Sequence, residues 1–243
     1  MDEKARSMTS PTYVLVHGAW SGPWCWRDLT SQLDQRGVAS RTVNLPSAQT
    51  DGDPLADLDQ DAAVVADACE GLDNVVLVAH SYGGAVVSQA AHLVGELSRL
   101  VFIAAIVPAR GESATDVSRL VRVRTTLDEA MVLDGPILRL NPELAGAALY
   151  EDCDASTLAW ALGQLSTQTL ASFRSARTGP DVPVASRYVV CRNDHAIDPS
   201  LQEILAARCG ERVELSSGHS PFFSHPAELA DLITAWAGRP ASE

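Results

Sequence analysis

Short strand-like runs recur along this chain, and they constrain its fold more than any other feature. They occupy residues 13–16, 38–45, 75–79, 100–105, 187–191 and 213–215. Between them lie helical patterns at 26–36 (stopped by Gly37), 57–70, from 85 onward, 199–208 and 226–237. Those at 75–79, 100–105 and 187–191 read as buried strands, with both faces of each covered. Strand–helix alternation of that kind predicts an α/β fold, a mostly parallel sheet flanked by helices. The rhythm breaks at about 108–183, where DEAMVL, NPELAGAALYEDCD and STLAWALGQL read as helical. The expected organisation is one domain, with its core at about 11–107 and 184–243 and a helical cap inserted at about 108–183. An insertion that long is a lid or a binding element rather than a connection.

With 243 residues, 46% of them hydrophobic, the chain can bury a sizeable core. Its formal net charge is −13 and no block of Lys or Arg stands out, which argues against nucleic acid and anionic membrane surfaces as partners. The five cysteines are widely spaced and form no CxxC pair, so neither a metal site nor a redox dithiol is expected. Reduced structural thiols fit a cytoplasmic protein. The opening MDEKARSMTSP has no apolar stretch of the signal-peptide kind and reads as a loose polar tail. No apolar run has the length of a transmembrane helix.

One run raises a chemical question. VLVAHSYGGAVV carries a buried strand into His80, Ser81 and Tyr82, then two glycines and a helix. A serine at a sharp strand-to-helix turn, with small residues two positions away on each side, stands above the sheet edge in a strained conformation. Ala79 and Gly83 are those neighbours, with Ala where glycine is usual. By itself the motif also fits an ordinary strand–turn–helix junction. Three further strand ends give it company. The first, VLVHGAW, can offer the backbone N–H of Ala19 beside that of Tyr82, a pair able to hold a developing oxyanion. The second, VVCRND, ends in Asp194; Asp198, before Pro199, is better explained as a helix N-cap. The third, SSGHSPFF, places His219 after the last strand. His17 and His80 read as hydrogen-bonded supports. The order Ser, Asp, His is the one this arrangement requires.

On these stretches the chain resembles α/β-hydrolase-fold proteins. VLVHGAWSGPWCWRDL, VVLVAHSYGGAVV, LYEDCDASTLAWAL, YVVCRNDHAIDPSLQ and SSGHSPFFSHPAELADLI narrow the resemblance to the plant hydroxynitrile lyase and methylesterase branch and its bacterial esterase relatives. It implies a Ser81–His219–Asp194 triad, an oxyanion hole from the N–H groups of Ala19 and Tyr82, and no cofactor. Lyases of this branch carry threonine after the first-loop histidine and lysine after the catalytic one. Here Gly18 and Ser220 occupy those places, which favours ester hydrolysis over cyanohydrin cleavage.

The leading expectation is a serine esterase acting on a small to medium, fairly apolar carboxylic ester. A lyase or cyclase with His219 as base, and a non-enzymatic ligand-binding protein, are the alternatives. Trp160 is a candidate wall of the substrate pocket, or packs the insertion onto the sheet. The expected partner is a small molecule; a homodimer is compatible with the sequence.

Overall fold

The structure, a computed structural model, describes residues 10–49 and 51–237. The first nine residues of the polar tail and the last six of the chain lie outside that range. Nine strands are formed among the described residues: β1 (Thr12–Val16), β2 (Ser40–Thr42), β3 (Val75–His80), β4 (Leu97–Ile103), β5 (Met131–Asp134), β6 (Ile137–Leu140), β7 (Gln168–Thr169), β8 (Ala185–Cys191) and β9 (Glu211–Leu215). Six make the main sheet in the order β2-β1-β3-β4-β8-β9, every pair parallel. The run at 38–45 shortens to three paired residues because β2 is an edge strand, bonded to β1 alone.

Period-two side-chain alternation sends each strand's residues to opposite faces. Val14, Val16, Leu77 and Ala79 join one core with helices Leu58–Cys69 and Gly83–Ala90. Tyr13, Leu15, Val76 and Val78 join the other, with helices Arg27–Gln35 and Pro226–Ala237. All six residues of β3 are buried, which is why the sequence there is apolar without interruption. Because the strands are parallel, their C-terminal ends lie at one edge of the sheet. The loops after β1, β3, β8 and β9 therefore open toward the same side, where ligands of open α/β sheets bind.

Between β4 and β8 the chain forms the cap. Its helices are short: Ala114–Ser118, Thr126–Ala130, Pro142–Leu149, Ala155–Leu162 and Leu170–Arg174. It also holds a three-stranded antiparallel sheet, β5-β6-β7, so the expectation of an all-helical insertion needs correction. DEAMVL splits at Ala130: its first half ends a helix and Met131 begins β5. The hairpin signal is the Asp134-Gly135 pair between two apolar runs; Gly135 takes φ +59°, which glycine adopts at little cost. Five-residue helices are marginal without tertiary support. Two of them carry reciprocal capping boxes, Ser113 with Asp116 and Thr125 with Asp128.

The cap is bonded to the sheet domain beside the loop after β1. The Trp20 indole N–H donates to the Leu138 carbonyl at 3.0 Å, and the Ser166 N–H donates to the Trp20 carbonyl at 2.9 Å.

Candidate active site

Ser81 occupies the turn between β3 and helix Gly83–Ala90 at φ +52°, left-handed backbone that costs a non-glycine residue of order 1–3 kcal/mol. Hydrogen bonds hold it there: its carbonyl accepts the N–H groups of Ile106 (2.9 Å) and Gly84 (3.0 Å). The two glycines that follow are steric necessities. A Cβ on Gly83 would lie 2.6 Å from the carbonyl oxygens of both Val16 and His17, and one on Gly84 would strike that of Ile106.

Asp194 follows β8 and is buried. One carboxylate oxygen accepts the N–H groups of Ala196 (2.7 Å) and Ile197 (2.9 Å). The other accepts the Gln202 side-chain amide and His219 Nδ1, each at 2.8 Å. Asp194 only accepts, so the imidazole proton sits on Nδ1 and Nε2 carries the lone pair. His219, after β9, is 1% exposed. Burial lowers its proton affinity, but Asp194, Glu151 and Asp152 outweigh that and raise the pKa above the ordinary imidazole value. Asp198 instead caps helix Pro199–Ala206, accepting the Ser200 N–H at 2.8 Å. The structure thus brings Asp194, and not Asp198, to His219.

Ser81 and His219 line one narrow slot of about 20 Å³, together with Ala19, His80, Tyr150 and Phe222. No hydrogen bond joins the two among the described residues; such contacts are commonly long before substrate binds. On its other side Ser81 borders a chamber of about 250 Å³. Its walls are mainly apolar, from Trp20, Ile106, Leu138, Leu170 and Phe173 among others. Asp128 and Asp198 are its only charged lining residues among the described ones. Ala19 and Tyr82 border it as well, and their backbone N–H groups donate to nothing among the described residues. Trp20, next to Ala19, is at φ +57°, held by its two bonds to the cap.

The two flanking histidines are neutral. The Leu45 N–H donates to His17 Nε2 at 3.2 Å, so Nδ1 bears the proton and donates to the Gly18 carbonyl at 2.8 Å. Burial takes the His17 pKa down to about 4 and that of His80 well below the ordinary value. His80 Nε2–H donates to the carbonyl of His219 at 2.8 Å, bracing its loop. Gly18 packs under this pair: a Cβ there would lie 2.8 Å from Ser81 Cβ and 3.1 Å from His80 Nδ1.

Trp160 takes the second of its two readings and packs the insertion onto the rest of the fold. Its ring packs edge-on against Trp24 (5.5 Å) and Phe223 (6.0 Å), with the Arg27 guanidinium 3.8 Å above it, and it lines neither chamber nor slot. The aromatic walls come instead from Trp20 and Phe173, whose rings tilt together at 5.8 Å. Phe173 also stacks on Tyr82 at 5.3 Å.

Sequence reasoning missed Asp61. It is fully buried in helix Leu58–Cys69 and accepts the Ser47 N–H (3.0 Å), the Ser47 hydroxyl (2.5 Å) and the Tyr82 hydroxyl (2.8 Å). Burial lifts its pKa to about 6 despite these donors. The signal was an acid on the apolar stripe formed by Leu58, Ala62, Val65 and Cys69. Glu151, whose contacts are taken up below, was missed too. Among the described residues no group of three or more His, Cys, Asp or Glu could hold a metal ion, and no helix is long and apolar enough to cross a membrane.

Comparison with known proteins follows the same lines. Residues 13–232 match the model of a family described as "Alpha/beta hydrolase family". Among curated proteins, "Alpha/beta hydrolase nvfD" of Aspergillus novofumigatus is 27% identical over 95% of this chain and 98% of its own length. "Methylesterase 7" of Arabidopsis thaliana is 29% identical over 91% of this chain and 94% of its own. Among solved structures, a pyrethroid hydrolase from Sphingobium faniae superposes with a TM-score of 0.84 at 21% identity, covering 96% of this chain and 99% of the other, and so shares the fold.

Proposed function

Because the chain belongs to the alpha/beta hydrolase family, we propose that it is a serine esterase that cleaves apolar carboxylic esters through an acyl-enzyme on Ser81. One observation carries the reading: Ser81 stands on a strained turn between a large apolar chamber and a small slot shared with His219, whose tautomer Asp194 fixes. In the acylation step His219 Nε2 takes the Ser81 proton while Oγ bonds to the ester carbonyl carbon. The carbonyl electron pair moves onto oxygen, where the N–H groups of Ala19 and Tyr82 receive it. The C–O bond to the alcohol then breaks, and His219 returns the proton to the departing oxygen. Water repeats the sequence on the acyl-enzyme and frees the acid.

The two cavities suggest how the ester lies. The leaving oxygen must reach His219, so the alcohol belongs on the slot side. About 20 Å³ accommodates one or two heavy atoms, since a single water needs roughly 10–15 Å³ by the same measure. The acyl part belongs in the chamber, whose size and apolar walls suit a bulky hydrocarbon or aryl group. Substrates of this kind, methyl or ethyl esters of a bulky neutral acid, are consistent with the relatives named as methylesterases.

Cyanohydrin cleavage is disfavoured on the same geometry. The crowding at Gly18 leaves no room for a threonine without displacing Ser81 or His80, and Ser220 is uncharged. The test is a panel of methyl, ethyl, benzyl and p-nitrophenyl esters of small and bulky acids, assayed beside cyanide release from mandelonitrile. Hydrolysis should be highest for bulky acyl groups on small alcohols and absent in Ser81→Ala. Cyanide release at comparable rates, or ester turnover that survives Ser81→Ala, would overturn the proposal.

A further inference from the structure

Two consecutive carboxylates of the cap reach the loop that carries His219. Glu151 Oε1 accepts the backbone N–H of His219 at 3.2 Å and that of His195, the residue after Asp194, also at 3.2 Å. Asp152 Oδ2 accepts the N–H of Gly218 at 2.7 Å. A Cβ on Gly218 would lie 2.6 Å from Glu151 Cδ, so the absent side chain is what admits the cap this closely. A single cap residue thereby ties the loop after β8 to the loop after β9. These are the loops that must present Asp194 and His219 to each other.

The charges around the imidazole come from three elements. Asp194 faces it from the loop after β8, Glu151 and Asp152 from the cap, and His80 from the end of β3, with ring centroids 4.5 Å apart. His225 lies 3.7 Å from Asp152. His80 is neutral, so the net field at His219 is negative. Glu151 itself is half-buried, with Oε2 shielded and unpartnered among the described residues, and burial raises its pKa. A shielded carboxylate oxygen without a partner is costly to stability, which asks for a compensating role.

We propose that Glu151 is a positioning residue for the reaction centre: a cap carboxylate that holds the loops of Asp194 and His219 in register and stabilises the positive charge His219 gains on taking the Ser81 proton. The proposal rests on the esterase reading for its kinetic consequence, but its electrostatic consequence stands apart from turnover. During acylation the Ser81 O–H bond breaks, its proton moves to Nε2, and the ring charge rises by one unit at a buried imidazole. A fixed carboxylate nearby stabilises that change more than it stabilises the resting neutral ring.

Glu151→Gln keeps an oxygen for the two N–H groups and removes the charge; Glu151→Ala removes both. Glu151→Gln should lower kcat about tenfold with KM within about twofold, and should move the acid limb of kcat/KM to lower pH. Glu151→Ala should cost about a hundredfold, because the loops also lose their tie. In the Ser81→Ala background, where no turnover is needed, NMR titration of the His219 ring should give a lower midpoint when Glu151→Gln is added. A lowered midpoint in a protein that hydrolyses no ester would sink the esterase reading while leaving this one standing. An unmoved or raised midpoint, or wild-type kcat in Glu151→Gln, overturns the assignment. Should Glu151→Gln fail to fold, Gly218→Ala tests the same point by driving the carboxylate back from the loop. It should likewise depress kcat and the midpoint, and an unchanged midpoint there overturns the proposal.

Discussion

The sheet domain and the cap meet at the same serine but are built by opposite means. The centre of the sheet is held by apolar strands with both faces covered, and every residue of β3 is buried, while the edge strands β2 and β9 are more polar and exposed. The cap is held by short helices with side-chain caps, a small antiparallel sheet, hydrogen bonds that Trp20 and Ser166 donate to backbone carbonyls, and those that Glu151 accepts from backbone N–H groups. A scaffold of the first kind resists deformation, so it suits residues whose mutual geometry must be kept within fractions of an ångström. A scaffold of the second kind tolerates a change of side chain on one wall, so it suits the shaping of a chamber. On this view the sheet carries the reacting side chains, while the cap shapes the chamber and, through Glu151, braces the loops of Asp194 and His219.

The strongest way to break that division is at the elbow. Ser81→Ala should reduce kcat on the order of a million-fold while leaving the thermal midpoint close to wild type, because the hydroxyl carries no packing. Fluorophosphonate labelling followed by peptide mapping should find Ser81; a label on another residue would move the chemistry elsewhere.

Next comes Asp194→Asn, expected to cost about ten-thousand-fold in kcat, since an amide donates where the carboxylate accepts and the imidazole is left in the wrong tautomer. Asp198→Asn should cost only about 1 kcal/mol of helix-cap stability or less. Reversal of that ranking in steady-state kinetics would transfer the assignment to Asp198.

A third measurement sharpens the boundary between the two regions. Asp61 has a folded-state pKa of about 6 against an ordinary 3.8, so between those values the folded protein binds more protons than the unfolded one. Its contribution to stability is greatest below the unfolded value and is lost as pH rises through about 6. The difference amounts to about 3 kcal/mol. Urea melts of wild type and Asp61→Asn should therefore diverge in the mutant's favour as pH rises from 4 to 7. A stability difference constant across that range would show that Asp61 is not the buried acid described here.

The smallest effect is expected at Trp160. Trp160→Ala should lose about 1 kcal/mol from its edge-on aromatic and cation–π contacts and leave kcat and KM within about twofold. A large rise in KM would return Trp160 to the substrate pocket.

How much of this was legible in the sequence follows the same division. Ser81 and Asp194 stand out because each follows a strand whose apolar run can be read by itself, whereas His219 follows the largely exposed ERVEL strand and stands out by its place in a glycine-bearing loop after the last strand. Where packing on both faces dictates composition, a polar residue at the strand's end is conspicuous. The cap hid its elements because none is long enough to show a period. Its three-stranded sheet turned on one Asp-Gly pair, and its helices depend on contacts with the sheet domain. Asp61 was hidden for a different reason. Its neighbours in the chain predict its helix correctly, but its partners, Ser47 and Tyr82, come from other segments. Glu151 left no trace beyond an acidic run, because it bonds to backbone N–H groups, which sequence does not display. Trp160 kept two readings because an aromatic in an apolar helix looks the same whether it faces a chamber or a neighbouring tryptophan.

The composition of the chamber bears on how a turnover would end. An ester entering it is neutral, whereas the acid left behind ionises at neutral pH. Among the described residues the chamber offers that anion no lysine, arginine or histidine, and Asp128 and Asp198 stand at its wall. A carboxylate held there forfeits hydration without gaining a counter-ion, a loss of several kcal/mol. The walls that attract the substrate therefore repel what it becomes, and the acid should be a far poorer inhibitor than its ester is a substrate.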